Sequence, residues 1–286
     1  MTDATTLDTA SRDSDPGGPA DEGLALVVVW CANEPRRVGE RLVLPDPASP
    51  ACVFGRGGVR PDEAEERLTL ARLRPGARAP AAPFENPFVS RRQLELRATA
   101  EGVRARNLGR RAMLVGGREA DDALVAPGET LEVERQVMFV CARGPRAFDG
   151  AWRRAVAPGE FGAADAHGIV GEGAATWALR DRVAFVAGRG AHVLLRGPSG
   201  SGKELVAQSL HALSGRGGRR MVSRNAATLP AGLIDAELFG NVAHYPHAGM
   251  PERAGLVGEA DGSTLFLDEI GELPAELQTH LLRVLD

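Results

Sequence analysis

Lysine is almost absent from this chain. Lys and Arg together number 34, yet Lys203 is the only lysine and every other side-chain cation is an arginine. Cysteine is also scarce. Cys31, Cys52 and Cys141 sit in apolar runs without CxxC or Cys/His spacing. That excludes a disulfide framework and a cysteine metal site, and it suits reduced core residues. No apolar run approaches the roughly 18 residues a membrane-spanning helix needs. The opening MTDATTLDTASRDSDPGG is acidic and polar, without the basic start and apolar core of a secretion signal, so a cytoplasmic protein is expected. With a net charge of −4 there is no overall basic field to attract nucleic acid.

What is present divides into two textures. Residues 1–22 are rich in Asp, Thr, Ser, Gly and Pro, a composition that favours disorder. Residues 23–143 carry short apolar or alternating runs separated by Gly, Pro and Asp turns, the pattern of a β-sandwich. Strands are expected near 24–30, 41–44, 51–55, 68–73, 93–98, 103–107, 112–115, 130–133 and 137–142. Residues 144–167 show no steady period and read as a linker. From 168 to 286 strand-like and helical segments alternate, as in a parallel α/β domain. Helices are expected at 174–187, after Lys203, at 233–238 and at 274–285; strands at 193–195, 220–224 and 264–267.

The lone lysine closes Gly197-Pro198-Ser199-Gly200-Ser201-Gly202-Lys203. An apolar run, Val193-Leu194-Leu195, precedes it and a helical segment begins at Glu204. This is a phosphate-binding loop in its required context: glycines let the backbone aim N–H groups at a phosphate, the helix N-terminus adds partial positive charge, and the ammonium meets the outer phosphates. Downstream, Thr264-Leu265-Phe266-Leu267-Asp268-Glu269 is an apolar strand ending in two carboxylates. Asp268 suits a Mg2+ held through water, and Glu269 suits the orientation of an attacking water. His244 and His247 lie three apart around Pro246 with no third ligand nearby, and read as ordinary loop residues.

Gly168-Ile169-Val170-Gly171, the loop with Glu204, Asn225-Ala226-Ala227, Glu237-Leu238-Phe239-Gly240, Gly262 through Ile270, and Leu281-Leu282-Arg283-Val284-Leu285 together resemble the first half of the AAA+ domain of bacterial sigma-54-dependent transcription activators. The resemblance implies ATP as ligand, with Ile169 and Val170 near the adenine. It also implies that Asn225 is a polar switch holding or releasing Glu269. The chain departs from the family in two places. The interval Asn241–Pro251 lacks the GAFTGA loop that contacts sigma-54. The chain also stops at Asp286, before the family's sensor strand, arginine fingers, lid and DNA-binding helix-turn-helix. The expectation is therefore a piece of a longer protein, with self-association belonging to the full-length form and ATP turnover needing parts not in these residues.

In the first half, Phe54-Gly55-Arg56-Gly57, Val89-Ser90-Arg91-Arg92, the Asn107-Leu108-Gly109 turn and Pro127-Gly128-Glu129-Thr130-Leu131 resemble forkhead-associated (FHA) domains, readers of phosphothreonine peptides. The resemblance implies that Arg56, Ser90 and Arg91 converge on a phosphate supplied by a phosphorylated partner or an upstream Ser/Thr kinase. Gln93 stands where the family has His. Ala112-Met113 stand where it has the Asn-Gly pair that holds the peptide backbone. A second reading follows: a phosphopeptide-binding adaptor whose AAA+ segment senses nucleotide without hydrolysing it.

Overall fold

The structure is a computed structural model describing residues 22–59, 66–148, 159–229, 233–244, 248–274, 278 and 281. These fall into two compact units. The first holds the described residues up to 166 together with 170–181; the second holds 167–169 and those from 182 onward.

The first unit is an antiparallel sandwich. Its strands are β1 (Glu22–Cys31), β2 (Arg41–Val43), β3 (Cys52–Phe54), β4 (Ala71–Arg74), β5 (Ala77–Pro80), β6 (Leu94–Ala98), β7 (Val103–Asn107), β8 (Met113–Val115), β9 (Arg118–Glu119), β10 (Asp122–Val125), β11 (Thr130–Val133) and β12 (Val137–Pro145). One sheet has the order β5-β4-β2-β1-β12-β11-β8-β9, the other β10-β7-β6-β3. Period-2 patterning builds both: in β6, Leu94, Leu96 and Ala98 are buried, with Glu95 and Arg97 between them on the other face. Inward residues from the two sheets, among them Leu26, Phe54, Leu96, Val103, Leu131 and Phe139, form one core. Phe139 meets Phe54 edge-on at 5.5 Å. The three cysteines are free and buried in this unit, and burial pushes the Cys31 and Cys141 thiols up.

Strand positions follow the alternating runs, with differences where the pattern is weak. β4 starts at Ala71 rather than Leu68, because residues 66–68 bond to Val53 of β3. Val53 N–H donates to the Glu66 carbonyl and Leu68 N–H to the Val53 carbonyl, while the Leu70 carbonyl accepts from Ala81 N–H. β5, β9 and β10 were not expected; β5 reads Ala-Arg-Ala-Pro and is exposed throughout, so it offers no burial period to detect.

Composition reads residues 159–166 as linker, yet hydrogen bonds tie them into this unit. The Glu172 carboxylate, 5% exposed, accepts from Arg74 Nη2 at 2.6 Å and from Gly162 N–H at 3.0 Å. Phe161 lies under the guanidinium groups of Arg72 and Arg74. Asp165 pairs with Arg180 at 2.7 Å, both buried. Trp177, on α1 (Ala174–Ala187), is 2% exposed and packs with Val43, Leu73 and Phe148.

The second unit contains α2 (Lys203–Leu213), β13 (Val222–Asn225), α3 (Ile234–Phe239), α4 (Gly255–Glu259) and β14 (Leu265–Asp268). β13 and β14 pair in parallel, Asn225 opposite Asp268. Leu238, Leu256, Ile234 and Leu273 make its core with Ala226 and Leu229. The strand expected at 193–195 does not form: these residues carry no sheet ladder, and Leu194 is 71% exposed. A strand requires a neighbour to take its N–H and C=O groups, and among the described residues the sheet of this unit joins β13 to β14 alone. Most of the helix expected at 274–285 lies outside the described residues. No described helix is long and apolar enough to cross a membrane.

Candidate functional site

Two places gather the residues that the sequence singles out. In the second unit, the glycine-rich loop leads straight into α2, whose first residue is Lys203. Gly200 and Gly202 have φ of 74° and 83°, left-handed values that side-chain-bearing residues rarely adopt and that let successive amides face one concavity. Lys203 Nζ donates to the carbonyl oxygens of Gly197 at 3.2 Å and Pro198 at 3.0 Å. The ammonium thus folds back over its own loop, held by neutral acceptors that an anionic oxygen would outcompete. Glu204 is exposed on the first turn and accepts from Gln208. Ile169 is 8% exposed, whereas Val170 is 63% exposed.

At the carboxyl ends of the parallel pair, Asn225 Nδ2 donates to Glu269 Oε2 at 3.3 Å. The other end of the same amide, Oδ1, accepts from Ala227 N–H at 2.8 Å, which fixes the side chain's orientation. Glu269 has φ of 52°, unusual for a residue with a side chain. Its N–H donates to Asp268 Oδ1 at 3.0 Å. The three polar residues therefore form one cluster, with both carboxylates partly or fully exposed. Among the described residues no hydrogen bond or ion pair joins Lys203 to either carboxylate, and no cluster of metal-ligating side chains is present. In the interval between α3 and α4, Asn241 bridges Arg253, and His244 N–H donates to the Met250 carbonyl. His244 Nδ1 accepts from Gly249 N–H.

The second place lies at one end of the sandwich. A cavity of about 400 Å3 is lined by Arg56, Gly57, Gly58, Val59, Arg67, Glu85 and Arg91. The loops that carry Arg56 and Arg91 touch directly. Arg56 N–H donates to the Ser90 carbonyl at 3.0 Å, and a side chain at Gly55 would collide with the Ser90 and Arg91 carbonyls. Ser90 stands beside the cavity, its hydroxyl accepting from Arg110 N–H at 3.2 Å.

Gln93 is fully buried and holds this end together. Its Oε1 accepts from Ser90 N–H, and its Nε2 donates to Asn107 Oδ1 and to the Arg111 carbonyl. A neutral amide with one acceptor and two donors braces the Ser90 loop and the 107–111 turn at once. Arg67 and Glu85 were missed by sequence reasoning. No motif contains them; the available signal was their position on the segments flanking the two arginine loops.

Residues 169–286 match the family model for the Sigma-54 interaction domain. A formate hydrogenlyase transcriptional activator of Salmonella typhimurium is 46% identical over 117 residues, 41% of this chain and 17% of that protein. The chain thus spans a minor part of the length of such relatives. In structure, NtrX from Brucella abortus in complex with ATP resembles 41% of the chain at 39% identity and a TM-score of 0.36, covering 26% of NtrX. The FHA domain of CT664 protein from Chlamydia trachomatis resembles 42% of it at 15% identity and a TM-score of 0.29, covering 96% of that domain. The fold class is an all-β antiparallel sandwich followed by an α/β segment of sigma-54 interaction type.

Proposed function

We propose that the chain is the sensory and nucleotide-binding part of a transcription regulator of the sigma-54 activator type, switched by a phosphothreonine-bearing partner at its sandwich. The observation that carries the nucleotide half is the Asn225–Glu269 hydrogen bond at the end of paired parallel strands, downstream of the GPSGSGK loop. In this reading the loop amides and Lys203 hold the phosphates of ATP. Ile169 and Val170 stand toward the adenine. Asp268 holds Mg2+ through water, Glu269 orients a water, and Asn225 restrains Glu269 until the switch is released. Bound ATP supplies the phosphoanhydride whose cleavage drives the regulator. Self-association and contact with sigma-54 RNA polymerase belong to the whole protein. The reading places the molecule in the cytoplasm.

Calorimetric titration of the chain with ATP and Mg2+ tests the nucleotide half. Saturable binding is expected, lost in Lys203→Ala and retained in Asn225→Ala. A folded wild-type sample that takes up no nucleotide overturns it.

One observation favours the adaptor reading. The interval 241–251 that would carry GAFTGA has a different sequence, and in it His244 N–H donates to the Met250 carbonyl. Transcription from a sigma-54 promoter by the full-length gene separates the two. Activation supports the regulator; phosphopeptide binding without activation supports the adaptor.

A further inference from the structure

We infer that the arginine cavity of the sandwich reads a phosphorylated side chain next to a basic residue, with Glu85 selecting the base and Arg67 holding the two arginine loops in register. This rests on the phosphothreonine reading above and adds the charge class of the partner sequence.

The cavity brings three guanidinium groups and one carboxylate into about 400 Å3. A phosphate dianion satisfies guanidinium groups through charge-assisted, often bidentate hydrogen bonds. Arg56 and Arg91 come from neighbouring loops. Arg67 ties those loops together, its Nη1 donating to the Arg56 carbonyl at 3.4 Å and its Nη2 to the Arg91 carbonyl at 3.1 Å. A lysine in its place would bring a rotatable point charge in place of the rigid planar fork that fixes the spacing of the two acceptors. Arg67 is therefore a positioning residue that also adds positive charge to the wall.

Glu85 is the group that phosphate alone does not explain. It lines the same cavity, it is exposed, and among the described residues it forms no ion pair. Its backbone is held in place. The preceding Phe84 is buried, with its ring 5.6 Å from that of Phe54 and its carbonyl accepting from Gly57 N–H at 2.8 Å. Arg37 donates to the carbonyls of Ala82 at 3.0 Å and Pro83 at 2.8 Å. A carboxylate beside a phosphate site weakens a lone phosphate by like-charge repulsion, and it favours a ligand that brings its own cation. A phosphothreonine peptide with Lys or Arg nearby has that charge pattern.

The test is fluorescence anisotropy with the full chain and labelled phosphothreonine peptides bearing Lys, Ala or Glu at the flanking positions. Wild type should prefer the Lys peptide over the Glu peptide by about fivefold, the range of an exposed charge pair. Glu85→Gln should erase that preference while tightening the Ala peptide. Glu85→Lys should invert it. Arg67→Gln and Arg67→Lys should both weaken all phosphopeptides by about tenfold without changing their order. Circular dichroism establishes that each variant is folded. Equal binding of the Lys and Glu peptides by wild type, or a preference that survives Glu85→Gln, overturns the inference and leaves phosphothreonine reading intact. A folded wild type that binds no phosphopeptide overturns both.

Discussion

The sandwich and the nucleotide-loop unit solve the same problem to different degrees. The sandwich closes its apolar faces on each other, and Leu26, Leu42, Leu94, Leu96, Leu131 and Phe139 have no exposure at all. In the nucleotide-loop unit Leu238 reaches that state, while Val193, Leu194, Leu205, Leu233 and Val242 stand exposed. The polar groups differ in the same direction. At the sandwich end, Gln93 makes three bonds and Arg67 two to the loops that carry Arg56, Ser90 and Arg91. At the carboxylate cluster, Glu269 is held through a single amide at 3.3 Å. A reading surface gains from rigidity, because a preformed site loses less entropy on binding. A lone exposed hydrogen bond at 3.3 Å breaks at little cost.

Four measurements break or sharpen that contrast. The largest effect is expected from Phe139→Ala. Removing this fully buried ring should cost the sandwich about 3–5 kcal/mol in urea unfolding; a cost below about 1 kcal/mol would remove the claim of a tightly closed core. Next is Arg74→Ala, which leaves the buried Glu172 carboxylate without its cation. The expected cost is about 2–3 kcal/mol, somewhat below that of a fully buried pair because Arg74 is partly exposed. The double change Arg74→Met with Glu172→Leu should recover most of it in a double-mutant cycle.

A pH effect comes third. Burial, assisted by the nearby Glu66, pushes the Cys52 thiol from its ordinary 9.0 up to about 11. The folded state keeps its proton where the unfolded thiol loses it. This contribution is present below pH about 9 and is lost as pH rises toward about 11. Folded chain should leave Cys31, Cys52 and Cys141 unreactive to a thiol reagent near pH 8, and unfolded chain should expose all three. Rapid labelling of Cys52 in the folded chain would contradict the closed core. The smallest effect is expected from Leu194→Ser. It should shift stability by less than about 0.5 kcal/mol, because the side chain is already in water. A larger loss would mean that this face is covered in solution.

The legibility of the chain follows the same divide. Strands with a buried face, such as β6 and β7, were readable from alternation, and α1 from its apolar spacing. β5 was not, since an edge strand of Ala, Arg and Pro obeys no burial period. The loop at 197–203 and the carboxylates at 268–269 stood out by residue type and spacing, and the structure sets the loop at the start of α2 and the carboxylates at the end of β14. Arg67 and Glu85 were not, because they reach the cavity through tertiary placement. Gln93 was visible only as a departure from the expected His. Its three bonds explain how an amide can take over a bracing role there. The unformed strand at 193–195 shows the opposite limit: an apolar run states a preference, and only a neighbouring strand realises it.

The clasp between Arg74 and Glu172 has a consequence for how such chains can be recombined. The stretch that matches the sigma-54 interaction family begins at residue 169, but Glu172 and Trp177 are folded into the sandwich's own unit. The seam visible to descent and the seam visible to folding lie in different places. A C-terminal segment transplanted at residue 168 would bring a carboxylate whose arginine stayed behind, and a tryptophan whose pocket of Val43, Leu73 and Phe148 did the same. A cut after Asp181 would leave Arg74 with Glu172, and Trp177 with its pocket, together in the sandwich.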